Sequence, residues 1–176
     1  IEIVKLLLES LSSTNPLTNK SVVITTGPTQ EMIDHVRYIT NKSSGKMGYA
    51  LAEAAAAAGA NVTLISGPVH LTSPSNVHCI QVNTAQEMLA AVQKAIKHCD
   101  IFIAAAAVAD YHCVDIAKQK IKKEKKKLTL ELERNPDILS TVTQSSKKIF
   151  CVGFAAETEN VIAYAKKKLK EKNLGL

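Results

Sequence analysis

Short apolar runs alternate with longer polar or alanine-rich stretches along most of this chain. "SVVITTG" (21–27) and "NVTLISGP" (61–68) are β-branched runs that end at glycine, and each reads as a buried strand. "VHCIQV" (77–82) reads as a third, "DIFIAAAAVAD" (100–110) as one that runs into a polar end, and "KIFCVGFAAETE" (148–159) as a further buried strand. Between them lie helical patterns. "MGYALAEAAAAAGA" (47–60) is strongly helix-prone and closes on Gly59 as C-cap. "TAQEMLAAVQKAIKHC" (84–99) opens with Thr84 and Glu87 in capping-box relation. "NPDILSTVTQ" (135–144) starts a short helix with Asn135 as N-cap and Pro136 at the first helical position, and "TENVIAYAKKKLKEK" (158–172) is the last helix. "LTLELE" (128–133) alternates strictly, which predicts a half-exposed antiparallel strand.

Strands alternating with helices at this spacing predict an α/β, Rossmann-like three-layer sandwich: a mostly parallel sheet with helices on both faces. The pattern stops after a helix, and Leu174–Leu176 reads as the start of another strand, so C-terminal strands are expected to be missing.

Sheets of this kind bind ligands beyond the carboxyl ends of their strands, where helix N-termini gather. That rule directs attention to "GPTQE", "SGPV", "AAVAD" and "GFAAETE", and to "RYITNKSSGKMG" (37–48) on the same edge. There Ser43, Ser44, Gly45 and Lys46 precede a helix, a setting that favours an anion. Arg37 offers a fork of donors and Asn41 a neutral amide. A capped surface loop explains the stretch equally well. It is no P-loop, because Thr40 stands where the first glycine is needed and Met47 where the magnesium-binding hydroxyl is needed. No G-x-G-x-x-G follows the first strand, which disfavours a dinucleotide site of the usual kind.

Three other places carry candidate chemistry. Asp110 ends a strand of small side chains that lets a flat ligand approach the backbone, although a helix-capping aspartate explains it too. Lys118, Lys120, Lys122 and Lys123 can fold over a polyphosphate, or simply form a solvated loop, and nothing local singles out Lys120. Phe154 can stack on a base or sit in the core. The lysines of the last helix, including Lys168 and Lys172, read as a solvated face.

Composition narrows the class. The chain has 176 residues, 46% of them hydrophobic, with 4% aromatic residues and no tryptophan, so one domain with a core of Ala, Val, Ile and Leu is expected. No apolar run is long enough to span a bilayer, and "IEIVKLLLESLSS" carries acids unlike a secretory signal. Cys79, Cys99, Cys113 and Cys151 form no C-x-x-C pair and read as idle thiols of a cytoplasmic protein. The net charge is +6, but "KQKIKKEKKK" (118–127) carries seven lysines and one glutamate, so the remainder is balanced. A neutral body with one lysine cluster points to a solvated loop or local anion site more than to nucleic acid.

"GPTQEMIDHVRYITNKSSGKMGYALAEAA", "AAVADY", "KIKK", "NPDIL" and "VGFAAETEN", in this order, resemble the bacterial phosphopantothenoylcysteine synthetase family, the ligase half of a bifunctional coenzyme A biosynthesis flavoprotein. The resemblance covers about residues 20–174. It implies that the carboxylate of 4′-phosphopantothenate attacks CTP to give an acyl-cytidylate and pyrophosphate, after which cysteine displaces CMP. Mg²⁺ is implied on the triphosphate, and FMN only in the fused decarboxylase half. The resemblance assigns Asn41, Lys120 and Arg37 to catalysis. It assigns Ala104, Ala105, Ala106, Asp110, Lys120, Asn135, Pro136, Asp137, Ile138, Phe154, Lys168 and Lys172 to the nucleotide. It thus singles out the one lysine that local features could not. It also implies a homodimer, and residues 1–20 as a linker ahead of a ligase domain over 21–176. The family has an aspartate where Gly175 stands here, followed by a strand and a hairpin.

Two rivals come from other classes. An NAD(P)-dependent reductase would use Tyr164 and Lys168 as a Tyr-x-x-x-Lys pair, but these lie on the last helix. A nucleic-acid module would use residues 118–127, yet aromatic residues for base stacking are scarce there.

Overall fold

The computed structural model describes residues 15–122, 126–146, 148–154, 166–167, 169–172 and 174–176. Nine strands occur among them: β1 (Ser21–Thr26), β2 (Gln30–Met32), β3 (Tyr38–Thr40), β4 (Asn61–Ser66), β5 (Val77–Gln81), β6 (Ile101–Ala104), β7 (Tyr111–Cys113), β8 (Leu132–Arg134) and β9 (Phe150–Gly153). Three α-helices lie wholly within the described residues: α1 (Lys46–Ala57), α2 (Ala85–Ala95) and α3 (Ile138–Ser145).

Five strands form one parallel sheet in the order β5-β4-β1-β6-β9. The apolar alternation of each strand divides the core in two. Val22, Ile24, Val62 and Leu64 point to one face, where Tyr49, Ala52 and Ala55 of α1 cover them. Val23, Ile65, Phe102 and Cys151 point to the other, under Met88 and Val92 of α2 and Ile138, Leu139 and Val142 of α3. Phe102, Ile24 and Leu64 are wholly buried, each worth about 1.5–3 kcal/mol relative to exposure. The three-layer α/β expectation is met. Strand order reverses beside β1, so the carboxyl ends of β1 and β6 form the switch point where such sheets bind ligands.

Several boundaries differ from expectation for local reasons. The first helix is Lys46–Ala57, and Gly59, at φ 90°, lies past its end in the left-handed conformation expected of a closing glycine. The strand predicted over 100–110 is regular only to Ala104. Beyond it the chain stays beside the end of β1, with the Ala105 N–H donating to the Thr25 carbonyl and the Ala107 N–H to the Gly27 carbonyl. The short helix is capped by Asp137, whose carboxylate accepts the Ser140 N–H at 2.9 Å, and not by Asn135. Asn135 is drawn away because its side chain donates to the Ala109 carbonyl at 2.9 Å. The antiparallel strand expected at 128–133 is Leu132–Arg134, paired with β7. The β2–β3 hairpin was not anticipated. Most of the last predicted helix, including Lys168, lies outside the described residues. The final residues run beside β9, where the Gly175 N–H donates to the Cys151 carbonyl at 2.9 Å. Among the described residues no helix is long and apolar enough to cross a membrane. All four cysteines are free thiols.

Candidate active site

A cleft of about 640 Å³ opens at the carboxyl end of β6, between that strand and the start of α3. Its floor is the small-residue run: Ala104, Ala106, Ala107, Val108 and Ala109, with Thr25 of β1 beside them. The Ala109 N–H donates to the buried Thr29 hydroxyl at 2.9 Å, which ties this run to the segment after β1. The opposite wall is Asn135, Pro136, Asp137, Ile138 and Leu139. Asp110, Arg134, Phe154 and Lys172 complete the lining. Small side chains on the floor leave backbone within reach of a flat group, while charged and aromatic groups lie around it.

Nine of the residues expected at a nucleotide site therefore share this cleft: Ala104, Ala106, Asp110, Asn135, Pro136, Asp137, Ile138, Phe154 and Lys172. Ala105 does not line it; its N–H is spent on the Thr25 carbonyl at 3.0 Å. Asn135 bridges floor and wall. Its backbone N–H donates to the Asp110 carbonyl at 2.8 Å, and its buried Oδ1 has no hydrogen-bond partner among the described residues. Lys172, expected on periodicity alone to be a solvated face, instead donates to the Asp137 carboxylate at 2.6 Å. Partial burial pushes the Asp137 carboxyl up, but Lys172 and the Ser140 N–H outweigh it and hold the group below its ordinary range.

None of the three residues expected to act directly lines the cleft. Asn41 follows β3 and touches the outer side of the floor: its Nδ2 donates to the Val108 carbonyl at 2.9 Å, with a longer contact to the Ala107 carbonyl at 3.5 Å. Arg37 precedes β3, and its guanidinium is engaged internally. Nε and Nη2 both donate to Asp34 Oδ2, at 3.0 and 2.6 Å, and Nη2 also donates to the Ile121 carbonyl at 2.7 Å. Lys120, the residue before Ile121, is exposed.

The glycine-serine stretch leads directly into α1. Gly45 enters α1 in the left-handed conformation, at φ 72°, and no side chain caps the helix. The Gly45 N–H donates to Ser43 Oγ at 3.3 Å, and the Gly45 carbonyl accepts the Thr26 hydroxyl at 3.0 Å. Ser44 is exposed, and Lys46 is exposed in the first turn, away from the cleft.

Sequence reasoning missed Thr25, Arg134 and Leu139 at the cleft, and Asp34 beside Arg37. Only Asp34 carried a local signal: an aspartate followed by a turn, its Oδ1 accepting the Val36 and Arg37 N–H groups.

Residues 17–176 match the family described as the DNA/pantothenate metabolism flavoprotein C-terminal domain. The chain belongs to this family. The coenzyme A biosynthesis bifunctional protein of Vibrio vulnificus (strain YJ016) is 53% identical over 173 residues, which are 97% of this chain and 43% of that protein. The chain thus spans less than half the length of this relative. The crystal structure of the C-terminal domain of a coenzyme A biosynthesis bifunctional protein superposes with TM-score 0.80 at 48% identity, covering 91% of this chain and 76% of that one. A Cab2 mutant solved with phosphopantothenate-cysteine shares the fold at 21% identity, with TM-score 0.75 over 95% of this chain and 73% of the other. Family membership and the parallel sheet rest on the same span of residues, which includes the whole cleft.

Proposed function

We propose that this chain joins 4′-phosphopantothenate to cysteine in coenzyme A biosynthesis, with CTP as the activating nucleotide. The carboxylate attacks the α-phosphate to give an acyl-cytidylate and pyrophosphate; the cysteine amine then attacks the acyl carbon and CMP leaves. The observation that carries this reading is the alanine-floored cleft at the end of β6, in a member of a pantothenate-metabolism family. Its small floor suits a flat base, and Phe154 lines the same cleft. The unpartnered Asn135 Oδ1 is an acceptor for an amino group, which cytosine carries. Lys172 supplies a cation for phosphate, and Lys120 is read as the cation that offsets charge on the leaving pyrophosphate. Asn41 is read as the donor that holds the acyl oxygen in the cysteine step, and Arg37 as an aid to binding the phosphopantothenate part. Ser43, Ser44, Gly45 and Lys46 are read as contacts to the anionic intermediate.

Among the described residues no three His, Cys, Asp or Glu side chains converge as metal ligands. A magnesium ion that arrives on a triphosphate needs only one or two carboxylates from the protein, and Asp110, exposed at the cleft, fits that mode. The ion would neutralise phosphate charge there. The reading also entails a cytoplasmic homodimer, with residues 1–20 as linker and 21–176 as ligase domain.

Calorimetric titration of CTP and of ATP, each with Mg²⁺, tests the reading. Saturable CTP binding with much weaker ATP binding is expected. Equal affinity for the two overturns the assignment of CTP, and binding of neither overturns the nucleotide cleft.

A further inference from the structure

The Asp34 carboxylate is wholly buried and accepts five hydrogen bonds. Oδ1 takes the Val36 and Arg37 N–H groups at 2.8 and 2.9 Å, which is sufficient to close the local turn. Oδ2 does something else. It takes Arg37 Nε and Nη2, and also the backbone N–H of Ile121 at 3.0 Å, 87 residues away. Arg37 Nη2 then donates to the Ile121 carbonyl at 2.7 Å, so both polar groups of that peptide unit's residue are held. Four residues earlier, the Ala117 N–H donates to the Ile33 carbonyl at 3.0 Å. Lys118 and Lys120 are thus bracketed by two anchor points on the same loop, the one between β2 and β3.

We infer that Asp34 is a positioning residue: through Arg37 and Ile121 it clamps the lysine-bearing segment so that Lys120 is presented at one place. The inference rests on the reading of Lys120 as the cation on the nucleotide phosphates. A segment dense in lysines repels itself and gains nothing from order, so an anchor is needed if one ammonium is to meet one phosphate. A buried carboxylate with an arginine fork supplies it, because the fork reaches two acceptors at once where a lysine reaches one. The Ile121 N–H first, and then Arg37, hold the Asp34 carboxyl well below the usual range, so the clamp stays charged at working pH. The geometry also changes the meaning of Arg37, whose Nε and Nη2 serve the clamp.

Asp34→Asn tests this, since the amide leaves a donor facing Ile121 and Arg37. Pyrophosphate release is expected to fall about 10- to 100-fold while the CTP dissociation constant stays within about twofold. The Asp34→Asn/Lys120→Ala double variant should be no slower than Lys120→Ala alone, because both remove one function. Trypsin should cut after Lys118, Lys120 or Lys122 faster than in the parent. Undiminished pyrophosphate release overturns the inference, and so does loss of CTP affinity in step with rate, which marks a merely structural residue. If Asp34→Asn does not fold, Arg37→Lys is read by the tryptic rate alone, since Arg37 is also read as a contact to the phosphopantothenate part: lysine keeps the charge but cannot span Asp34 and Ile121, so faster cutting sustains the clamp and an unchanged rate ends it. If the parent protein neither binds CTP nor releases pyrophosphate, the ligase reading fails. The tryptic rate then decides the clamp: faster cutting in Asp34→Asn sustains it, and an unchanged rate ends it.

Discussion

Gly48→Ala sets two known effects against each other at the point where α1 meets the sheet. Alanine is favoured over glycine inside a helix by about 1 kcal/mol. Gly48, however, is buried, and a Cβ there would lie 2.2 Å from Thr26 Oγ1 and 2.4 Å from Thr26 Cβ. Ordinary packing contacts are about 3.5–4.0 Å, so the helix would have to retreat by roughly 1 Å or more. Thr26 cannot yield easily: it is wholly buried, and its hydroxyl donates to the Gly45 carbonyl at 3.0 Å. Turning the side chain would break that bond, worth about 1 kcal/mol, and would leave the Cβ contact in place. Overpacking of this kind costs about 1–3 kcal/mol. Contacts this short put the cost toward the upper end of that range, so after the propensity gain of about 1 kcal/mol the variant should lose about 1–2 kcal/mol net, or about 2–8 °C in Tm. Urea unfolding of Gly48→Ala measures it. Ala50→Gly, on the exposed side of the same helix, serves as the control and should lose about 1 kcal/mol from propensity alone. A Gly48→Ala protein as stable as the parent would refute the reasoning, since propensity would then have outweighed the contact.

Two further predictions concern charge. Asp34 titrates below its unfolded value of about 3.9, so its contribution to stability is present above that pH and is lost as pH falls through the lower folded value. Urea midpoints of parent and Asp34→Asn should differ by a constant amount from pH 8 to 5 and converge only in stronger acid; convergence above pH 5 would contradict the assignment. Asp137→Ala removes the cap of α3 and should cost about 0.5–2 kcal/mol, whereas Lys172→Met, which removes only a partly exposed ion pair, should cost about 1 kcal/mol or less, both read from urea midpoints.

The sheet was legible because each central strand is an unbroken apolar run with its own stop. The cap of α2 was equally legible: Thr84 accepts the Glu87 N–H at 3.1 Å, as the capping-box spacing demands. The cap of α3 was misread because two candidates stand two residues apart, and the choice depends on Ala109, which lies 26 residues from Asn135. β2, β3 and β7 have three residues each, too few to show a period. The cleft could be located from the rule about strand ends, since Ala104–Asp110 follow a buried run. The engagement of Arg37 could not, because it depends on a peptide 84 residues along the chain.

Asn41 stands between the two groups of residues, and its contacts make a sharp test of its role. Its Nδ2, which carries two N–H groups, donates to the Val108 carbonyl at 2.9 Å and otherwise makes only a 3.5 Å contact with the Ala107 carbonyl. The second donor is the one free to meet an acyl oxygen. Asn41→Ala removes both donors and leaves the carbonyls facing solvent, because the side chain is exposed. Asn41→Asp does more harm: it sets carboxylate oxygens against two carbonyl oxygens, acceptor against acceptor, at a cost of about 1–3 kcal/mol unless the loop swings away. Both variants should still release pyrophosphate and accumulate acyl-nucleotide, because the donor acts in the cysteine step. The Asp variant should be slower than the Ala variant in that step by about 5- to 150-fold, the equivalent of the same penalty. Quenched-flow measurement of acyl-nucleotide and final product separates the two steps. Equal loss of both steps, or an Ala variant slower than the Asp variant, would remove Asn41 from the amine step and leave it only as a tie between the β3 loop and the cleft floor.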